Sequence, residues 1–351
     1  MFRSNPDQGG RRSGAQDPVG GVLKAIGQTP LIRLDRYPDR SDLQVWAKLE
    51  SANPARSSKD RSALRLVTDA LDAGHIGPET TVIESTSGNL GVGLAQACCY
   101  LGLKLICVVD SRTHAINVQA MRAFGAEVRV VDREAAGDRD LLVARLDLVR
   151  ELVAETADSY WPNQYENPSS AAAHDEGTMR EIDLALEGRV DYLFIATSTT
   201  GTLRGCCDYL ARERRKTRVI AVDAQGSALF GHEPAKRVLP GFGAGVATEL
   251  SKGAWFDRLA RVSPLDSVVG CRRLVDREAV LAGASSGAVA TAFDSVTTTI
   301  EPGARCALLF ADDGRGYLDT VYSDEWVERE LGVSGRQLAE LVGGVAGRIR
   351  A

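Results

Sequence analysis

The chain has little of what metal and redox chemistry need. Its 351 residues include four histidines and seven cysteines. The histidines stand far apart in no HExxH pattern and the cysteines form no CxxC, so the sequence supports neither a metal site nor a disulfide framework. The cysteines fall as Cys98-Cys99, Cys206-Cys207 and the single Cys107, Cys271 and Cys306, mostly within apolar runs. That usage predicts reduced core thiols and a cytoplasmic location. No apolar run approaches the length of a membrane span, and the polar opening "MFRSNPDQGGRRSGAQDP" lacks the apolar centre of a signal peptide. No sign of charge dominates either: the formal charge of -5 is spread along the chain. The one basic run, Arg212 to Arg218, ends a helical pattern and reads as a solvated helix end, so no nucleic-acid partner is expected. Neither GxGxxG nor GxxxxGK[ST] occurs, which argues against nicotinamide dinucleotide and nucleoside triphosphate sites. Internal repeats and low-complexity segments are absent as well.

What the chain does have is alternation. Short runs rich in β-branched residues at 44–50, 81–84, 104–110, 127–132, 191–196, 218–224 and 306–310 predict strands. Between them lie helical patterns. "RSALRLVTDALDAG" puts Leu64, Val67 and Leu71 on one face and stops at Gly74, and "NLGVGLAQACCYLG" stops at Gly102. Strand then helix, repeated, predicts an α/β fold of parallel sheets covered on both faces. With 44% hydrophobic residues there is enough apolar material for two adjoining cores. The Pro-, Asn- and Ser-rich "SYWPNQYENPSS" at 159–170 marks one domain crossing, and "ESANPARSS" a second. The C-terminal "LGVSGRQLAELVGGVAGRIRA" reads as a short helix and a frayed end.

In such folds, ligands settle where the carboxyl ends of strands lead into helix N-termini. Three of these turns are rich in hydroxyls and glycine: "STSGNLG" at 85–91, "TSTTGTLRG" at 197–205 and "GASSGAVA" at 283–290. The first suits a carboxylate and the second a phosphate. A lysine, Lys59, opens a fourth helical pattern in "NPARSSKDR". Any one loop taken alone reads better as ordinary helix capping. Three together with a lysine point to an anionic ligand beside an amine.

These segments, in this order, resemble those of the fold-type II pyridoxal-phosphate enzymes related to cysteine synthase. The resemblance runs from "IGQTPLIRL" at 26–34 to "GRGYLDTVYSDEW" at 314–326. It implies that Lys59 binds the cofactor aldehyde as a Schiff base and, once displaced by substrate, carries the Cα proton. It further implies that Asn89 hydrogen-bonds the cofactor's phenolic oxygen, that Ser198, Thr199, Thr200, Gly201 and Thr202 hold its phosphate, and that Ser285 meets its ring nitrogen. Ser85, Thr86, Ser87 and Gln164, the last from "NQYENP", would hold the substrate. A serine at 285 in place of an aspartate does not secure full protonation of the pyridine, which favours elimination of a β-substituent over transamination. The architecture implied is two parallel-sheet, three-layer domains. Residues 1–18 would be a flexible tail, 19–52 with 161–330 the large cofactor-binding domain, 53–160 a small mobile domain and 331–351 a C-terminal tail. A homodimer acting on small amino acids is expected.

Two departures from the common family pattern stand out: Ala55-Arg56 where many relatives have two glycines, and Thr200 where a glycine is usual. "YWPNQYENP", "STTGT", "AVDAQGS", "LPGFGA" and "GYLDTVYSD" are similar to one subgroup, the N-(2-amino-2-carboxyethyl)-L-glutamate synthases. The implied reaction is a β-replacement joining O-phospho-L-serine to L-glutamate, a step toward 2,3-diaminopropionate for siderophores or antibiotics. A separate dehydrogenase would consume the product. Both substrates are anionic and call for cations. Arg56, Arg204, Arg272 and Arg315 are candidates, each also readable as a surface charge. Two alternatives stay open: an O-acetylserine or O-phosphoserine sulfhydrylase making cysteine, and a catalytically silent protein of the same fold.

Overall fold

The computed structural model describes residues 20–343 apart from 87, 138–140, 234 and 254. Among them ten strands form two sheets. The larger, in the order β1-β2-β10-β7-β8-β9, contains β1 Leu31–Arg33, β2 Gln44–Leu49, β7 Tyr192–Ala196, β8 Arg218–Ala224, β9 Arg258–Val262 and β10 Arg305–Phe310. Its pairings are parallel except for β1 with β2. The smaller, β5-β4-β3-β6, is parallel throughout and contains β3 Thr81–Ser85, β4 Lys104–Asp110, β5 Glu127–Val131 and β6 Ser159–Tyr160. The chain thus begins in the large sheet, leaves after β2 and returns after β6. Each strand-like run of the sequence lies in a strand, within one residue at its ends. β1 and β6 are too short to show a pattern, and the charged residues of β9, "RLARV", hid it.

The helices are α1 Lys59–Asp72, α2 Asn89–Leu101, α3 Ala115–Ala123, α4 Arg133–Ala136, α5 Leu141–Glu155, α6 Ser169–Ala173, α7 Arg180–Ala185, α8 Gly201–Arg212, α9 Pro264–Glu278, α10 Ala284–Val296, α11 Asp324–Leu331 and α12 Gly335–Gly343. Period-two alternation feeds both faces of each sheet. In the small sheet Val82, Leu105, Cys107 and Val109 join Leu66, Val67 and Leu94 of α1 and α2, while Ile83 and Val108 join Leu141, Ala144 and Val149 of α5. In the large sheet Val45, Phe194, Val222 and Leu308 pack on α9 and α10, and Leu193, Ile195, Ala221 and Ala307 pack on α8. Burial on both faces is why these strands read as nearly continuous apolar runs. Where α9 and α10 cross, Gly270 and Gly287 face each other, and a methyl on either would collide with the other helix's backbone.

One sequence expectation is corrected. The buried stripe of α1 is Ala63, Leu66, Val67 and Ala70, not Leu64, Val67 and Leu71, and Asp60, Arg61 and Ser62 are buried at its first turn. An ion cluster turns the helix this way. Arg61 donates to Glu50 at 2.7 and 3.0 Å and to Glu181 at 2.7 and 2.8 Å, and Lys48 Nζ donates to Glu181 at 2.6 Å. The start of α1, and with it Lys59, is thereby tied to the end of β2 and to α7. Six of the cysteines are buried and free, but Cys99 is exposed. No helix among the described residues is long and apolar enough to cross a membrane. At the C-terminal end, α12 packs on α9, where Arg273 donates to the carbonyls of Leu341 and Val342 at 2.8 and 3.1 Å.

Candidate active site

The N-termini of α1, α2, α8 and α10 converge on a cleft of about 520 Å³ between the two sheets, lined by Lys59, Thr86, Asn89, Gln164, Ser198, Thr199 and Ser285 among others. A small neighbouring pocket shares Lys59, Ser198, Thr199 and Ser285 with this cleft and adds Thr200 and Thr202. Lys59 is the first residue of α1. Ser58 N donates to the Ala311 carbonyl at 2.8 Å, which holds the lysine at the end of β10. Lys59 keeps part of its surface open to the cleft. Desolvation lowers its amine pKa, against the pull of Asp312 and Glu50. More of an amine so placed is unprotonated at neutral pH, and so free to act as nucleophile and base, than of a solvated one.

The loop after β7 wraps the N-terminus of α8. Thr200 caps it in the left-handed region at φ 68°, a conformation that favours glycine, which explains why a glycine is usual there. Its hydroxyl donates to the Thr199 carbonyl at 2.6 Å and meets Thr248 Oγ1 at 3.0 Å, so side-chain bonds hold the strained threonine in place. Arg56, at the other departure from the family pattern, is likewise left-handed at φ 71°. Gly201 lies against Ser170, with 3.2 Å between that side chain and any added Cβ. Thr202 Oγ1 is 3.1 Å from His174 Nε2, and this fully buried imidazole also reaches Ser62 Oγ at 3.2 Å and Thr178 Oγ1 at 2.9 Å. Burial and the charges of Lys59 and Arg61 hold His174 neutral. The free N–H groups and positive end of a helix such as α8 suit a phosphate.

The turn after β3 is built differently. Thr86 Oγ1 accepts from Gly91 N at 3.0 Å and from Gly88 N at 3.3 Å, which leaves its proton for a ligand. Asn89 Nδ2 donates to Asp312 Oδ2 at 2.9 Å. Ser85, the last residue of β3, is fully buried behind the cleft wall, where its carbonyl accepts from Gln164 Nε2 at 2.7 Å. Ser87 lies outside the described residues. Glu84, also fully buried, accepts from Ser85 N at 2.8 Å, Trp161 Nε1 at 3.2 Å and Gln164 N at 3.2 Å, and burial pushes its pKa to about 8. A neutral carboxylic acid thus frames the Gln164 loop at neutral pH.

The four arginines named from the sequence lie elsewhere. Arg56 and Arg315 pair with Asp313 at 3.0 and 3.6 Å, Arg204 with Asp208 at 3.0 Å, and Arg272 with Asp324 at 2.8 Å. The cations on the cleft wall are instead Arg112, Arg145, Lys236 and Arg237. Arg145, buried on α5, has its Nε 3.2 Å from Asp110 Oδ2 and its Nη1 without a hydrogen-bond partner. A lone arginine within "LLVARLDLV" was the signal that could have found it. Asp312 and His114, which lie in no motif, also line the cleft, together with Tyr317 of "GRGYLDTVYSDEW".

The cleft therefore offers an amine, a helix N-terminus with hydroxyls, and a second helix N-terminus bearing Ser285. A family described as pyridoxal-phosphate dependent enzyme matches residues 22–312. The chain belongs to this family. Its cofactor is pyridoxal phosphate, and the cleft, with Lys59, Asn89, Ser198, Thr199 and Ser285 on its walls, fits an aldehyde that carries a phosphate. The N-(2-amino-2-carboxyethyl)-L-glutamate synthase of Ralstonia nicotianae is 41% identical over 309 residues, covering 88% of this chain and 91% of that protein. Among solved structures, the O-acetylserine dependent cystathionine beta-synthase from Helicobacter pylori has a TM-score of 0.82 at 29% identity over 88% of this chain and all of the other. O-ureido-L-serine synthase has a TM-score of 0.78 at 29% identity over 86% of this chain and 95% of the other. The chain is a fold-type II enzyme of the β-replacement kind that acts on small amino acids.

Proposed function

We propose that the enzyme joins O-phospho-L-serine to L-glutamate, releasing phosphate and N-(2-amino-2-carboxyethyl)-L-glutamate. The observation that carries this reading is the set of cations gathered on the cleft wall, Arg112, Arg145, Lys236 and Arg237. Sulfide needs no such surroundings. A dicarboxylate acceptor and a dianionic leaving group do. The relative named as an N-(2-amino-2-carboxyethyl)-L-glutamate synthase supports glutamate as the acceptor.

Pyridoxal phosphate, when bound, supplies an aldehyde that takes an amine and a ring that delocalises charge from the substrate Cα. Lys59 holds the cofactor, then takes the Cα proton on its Nζ and later returns it. Ser198 to Thr202 bind the phosphate, Asn89 the phenolic oxygen and Ser285 the ring nitrogen. Thr86, with Ser87 and Gln164, orients the substrate carboxylate, and Ser85 acts through Gln164. Movement of residues 53–160 over the cleft would exclude water from the reacting carbon. A homodimer in the cytoplasm, with a dehydrogenase downstream on the way to 2,3-diaminopropionate, belongs to the same reading.

Mass spectrometry of the product tests it. The enzyme incubated with O-phospho-L-serine and L-glutamate should yield the glutamate adduct, with little from O-acetyl-L-serine, whose neutral leaving group makes no use of the cations. Efficient cysteine formation from sulfide, with no adduct detected, would move the assignment to a sulfhydrylase. A protein that gains no visible absorbance band with pyridoxal phosphate would be catalytically silent.

A further inference from the structure

Asp312 has no part in the roles above, yet it lines the cleft with Lys59, Asn89 and Ser285. It lies two residues beyond β10 and is 6% exposed. Its Oδ2 accepts from Asn89 Nδ2 and from the Tyr317 hydroxyl, each at 2.9 Å. Its Oδ1 has no partner and is pressed against Gly283, where any Cβ would collide with it. The backbone adds further ties: Gly283 N donates to the Asp312 carbonyl at 3.1 Å, and residues 57 and 312 pair as an antiparallel bridge. One residue thus touches the segments that carry Lys59, Asn89 and Ser285. Asn89 comes from the small sheet and Asp312 from the large one. Tyr317 in turn meets His114 edge-on at 5.6 Å, a second contact across the cleft.

For stability alone this is a poor arrangement, because a buried carboxyl with an orphaned oxygen costs more than an apolar group of the same shape. Its chemistry is more telling. A carboxamide can present either end to a neighbour, but an ionised carboxylate only accepts. Asp312 therefore draws the NH2 end of Asn89 toward itself and decides where the second N–H and the carbonyl point.

We propose that Asp312 is a positioning residue, whose carboxylate sets the orientation of the Asn89 carboxamide toward the bound cofactor. This rests on the reading of Asn89 as the partner of the cofactor's phenolic oxygen. The groups facing Asp312 are Lys59, Asn89, Tyr317, Asp313 and the Cys271 thiol of α9, with His114 behind Tyr317. Burial pushes Asp312 up to about 6, with Asp313 raising it further and Lys59 opposing. Below that pH the acid can donate, and its preference for the NH2 end of Asn89 is lost.

The test uses holoenzyme: wild type, Asp312→Asn, Asn89→Ala and the double variant. The readouts are the visible absorbance of the bound cofactor across the acid and neutral range and the cofactor dissociation constant. Wild type should show a spectral inflection near the acid's titration. Asp312→Asn should lose it, melt no lower than wild type and bind the cofactor about tenfold more weakly, the equivalent of one ordinary hydrogen bond. In the Asn89→Ala background the same change should do almost nothing. Asp312→Ser repeats the test where the amide disturbs folding. An unchanged inflection in both Asp312 variants would overturn the proposal, as would an equal effect of Asp312→Asn in the Asn89→Ala background. Neither result would touch the assignment of Lys59 or of the substrates. An Asn89→Ala enzyme with wild-type spectrum and affinity would overturn the reading of Asn89 itself, and the proposal with it.

Discussion

Replacing Glu84 by glutamine should abolish a loss of stability that the wild-type protein suffers between about pH 6.5 and 8.5. Glu84 is fully buried at the end of β3, and burial outweighs its three donors to push its pKa from 4.5 to about 8. The unfolded chain releases this proton near pH 4.5, whereas the native protein keeps it until about pH 8. In between the native state binds more protons, so stability falls as pH rises, by about 1.4 kcal/mol per unit. Asp60, Asp294 and Asp312, each pushed up to about 6, act in the same sense but are largely spent below this window. His174, held neutral, works in the opposite sense only below its unfolded value of about 6.5. With the slope flattening beyond pH 8, Glu84 should account for about 2 kcal/mol between pH 6.5 and 8.5. Glutamine keeps the side-chain shape and an acceptor for Ser85 and Trp161, puts its NH2 where Oε2 met Gln164 N, and never ionises. Denaturant midpoints of both proteins at three pH values supply the measurement, and taking their difference cancels the remaining titrations. Curves that stay parallel from pH 6.5 to 8.5 would refute the claim that Glu84 is neutral in the native state.

Lys59→Ala should lower kcat by at least about 10³-fold while circular dichroism and melting change little, because the side chain borders the cleft rather than the core. Arg145→Gln would strand Asp110 in the interior, so the cleaner variant is Arg145→Gln with Asp110→Asn. It should raise KM for glutamate at least about tenfold and leave the spectral response to O-phospho-L-serine intact. Gly270→Ala puts a methyl onto the Gly287 carbonyl at the crossing of α9 and α10, which should cost about 1–3 kcal/mol, read as a lower melting temperature. Because α10 carries Ser285 at its N-terminus, cofactor affinity should fall with it.

Features set within a few residues were legible in the chain. β4, "KLICVVD", reads as a strand because both of its faces are apolar, and α2 ends at Gly102 because that residue sits at φ 72°, where glycine has no steric penalty. The hydroxyl-rich turns after β3 and β7 and before α10 could likewise be read from composition, since a helix N-terminus needs only local donors and caps. Contacts between distant segments could not. The rotation of α1 follows from Arg61 reaching Glu50 and Glu181, 11 and 120 residues away, and no periodicity in "RSALRLVTDALDAG" encodes that demand. Asn89 and Asp312 are 223 residues apart and meet only because two sheets close on one cleft. The arginines nearest the motifs in sequence pair with carboxylates elsewhere, while Arg145 reaches the wall from α5 beside Asp110 at the end of β4. Local sterics and periodicity choose strands, helices and turns residue by residue, whereas the pairing of buried charges depends on how whole layers pack, and that packing exists only in the folded chain.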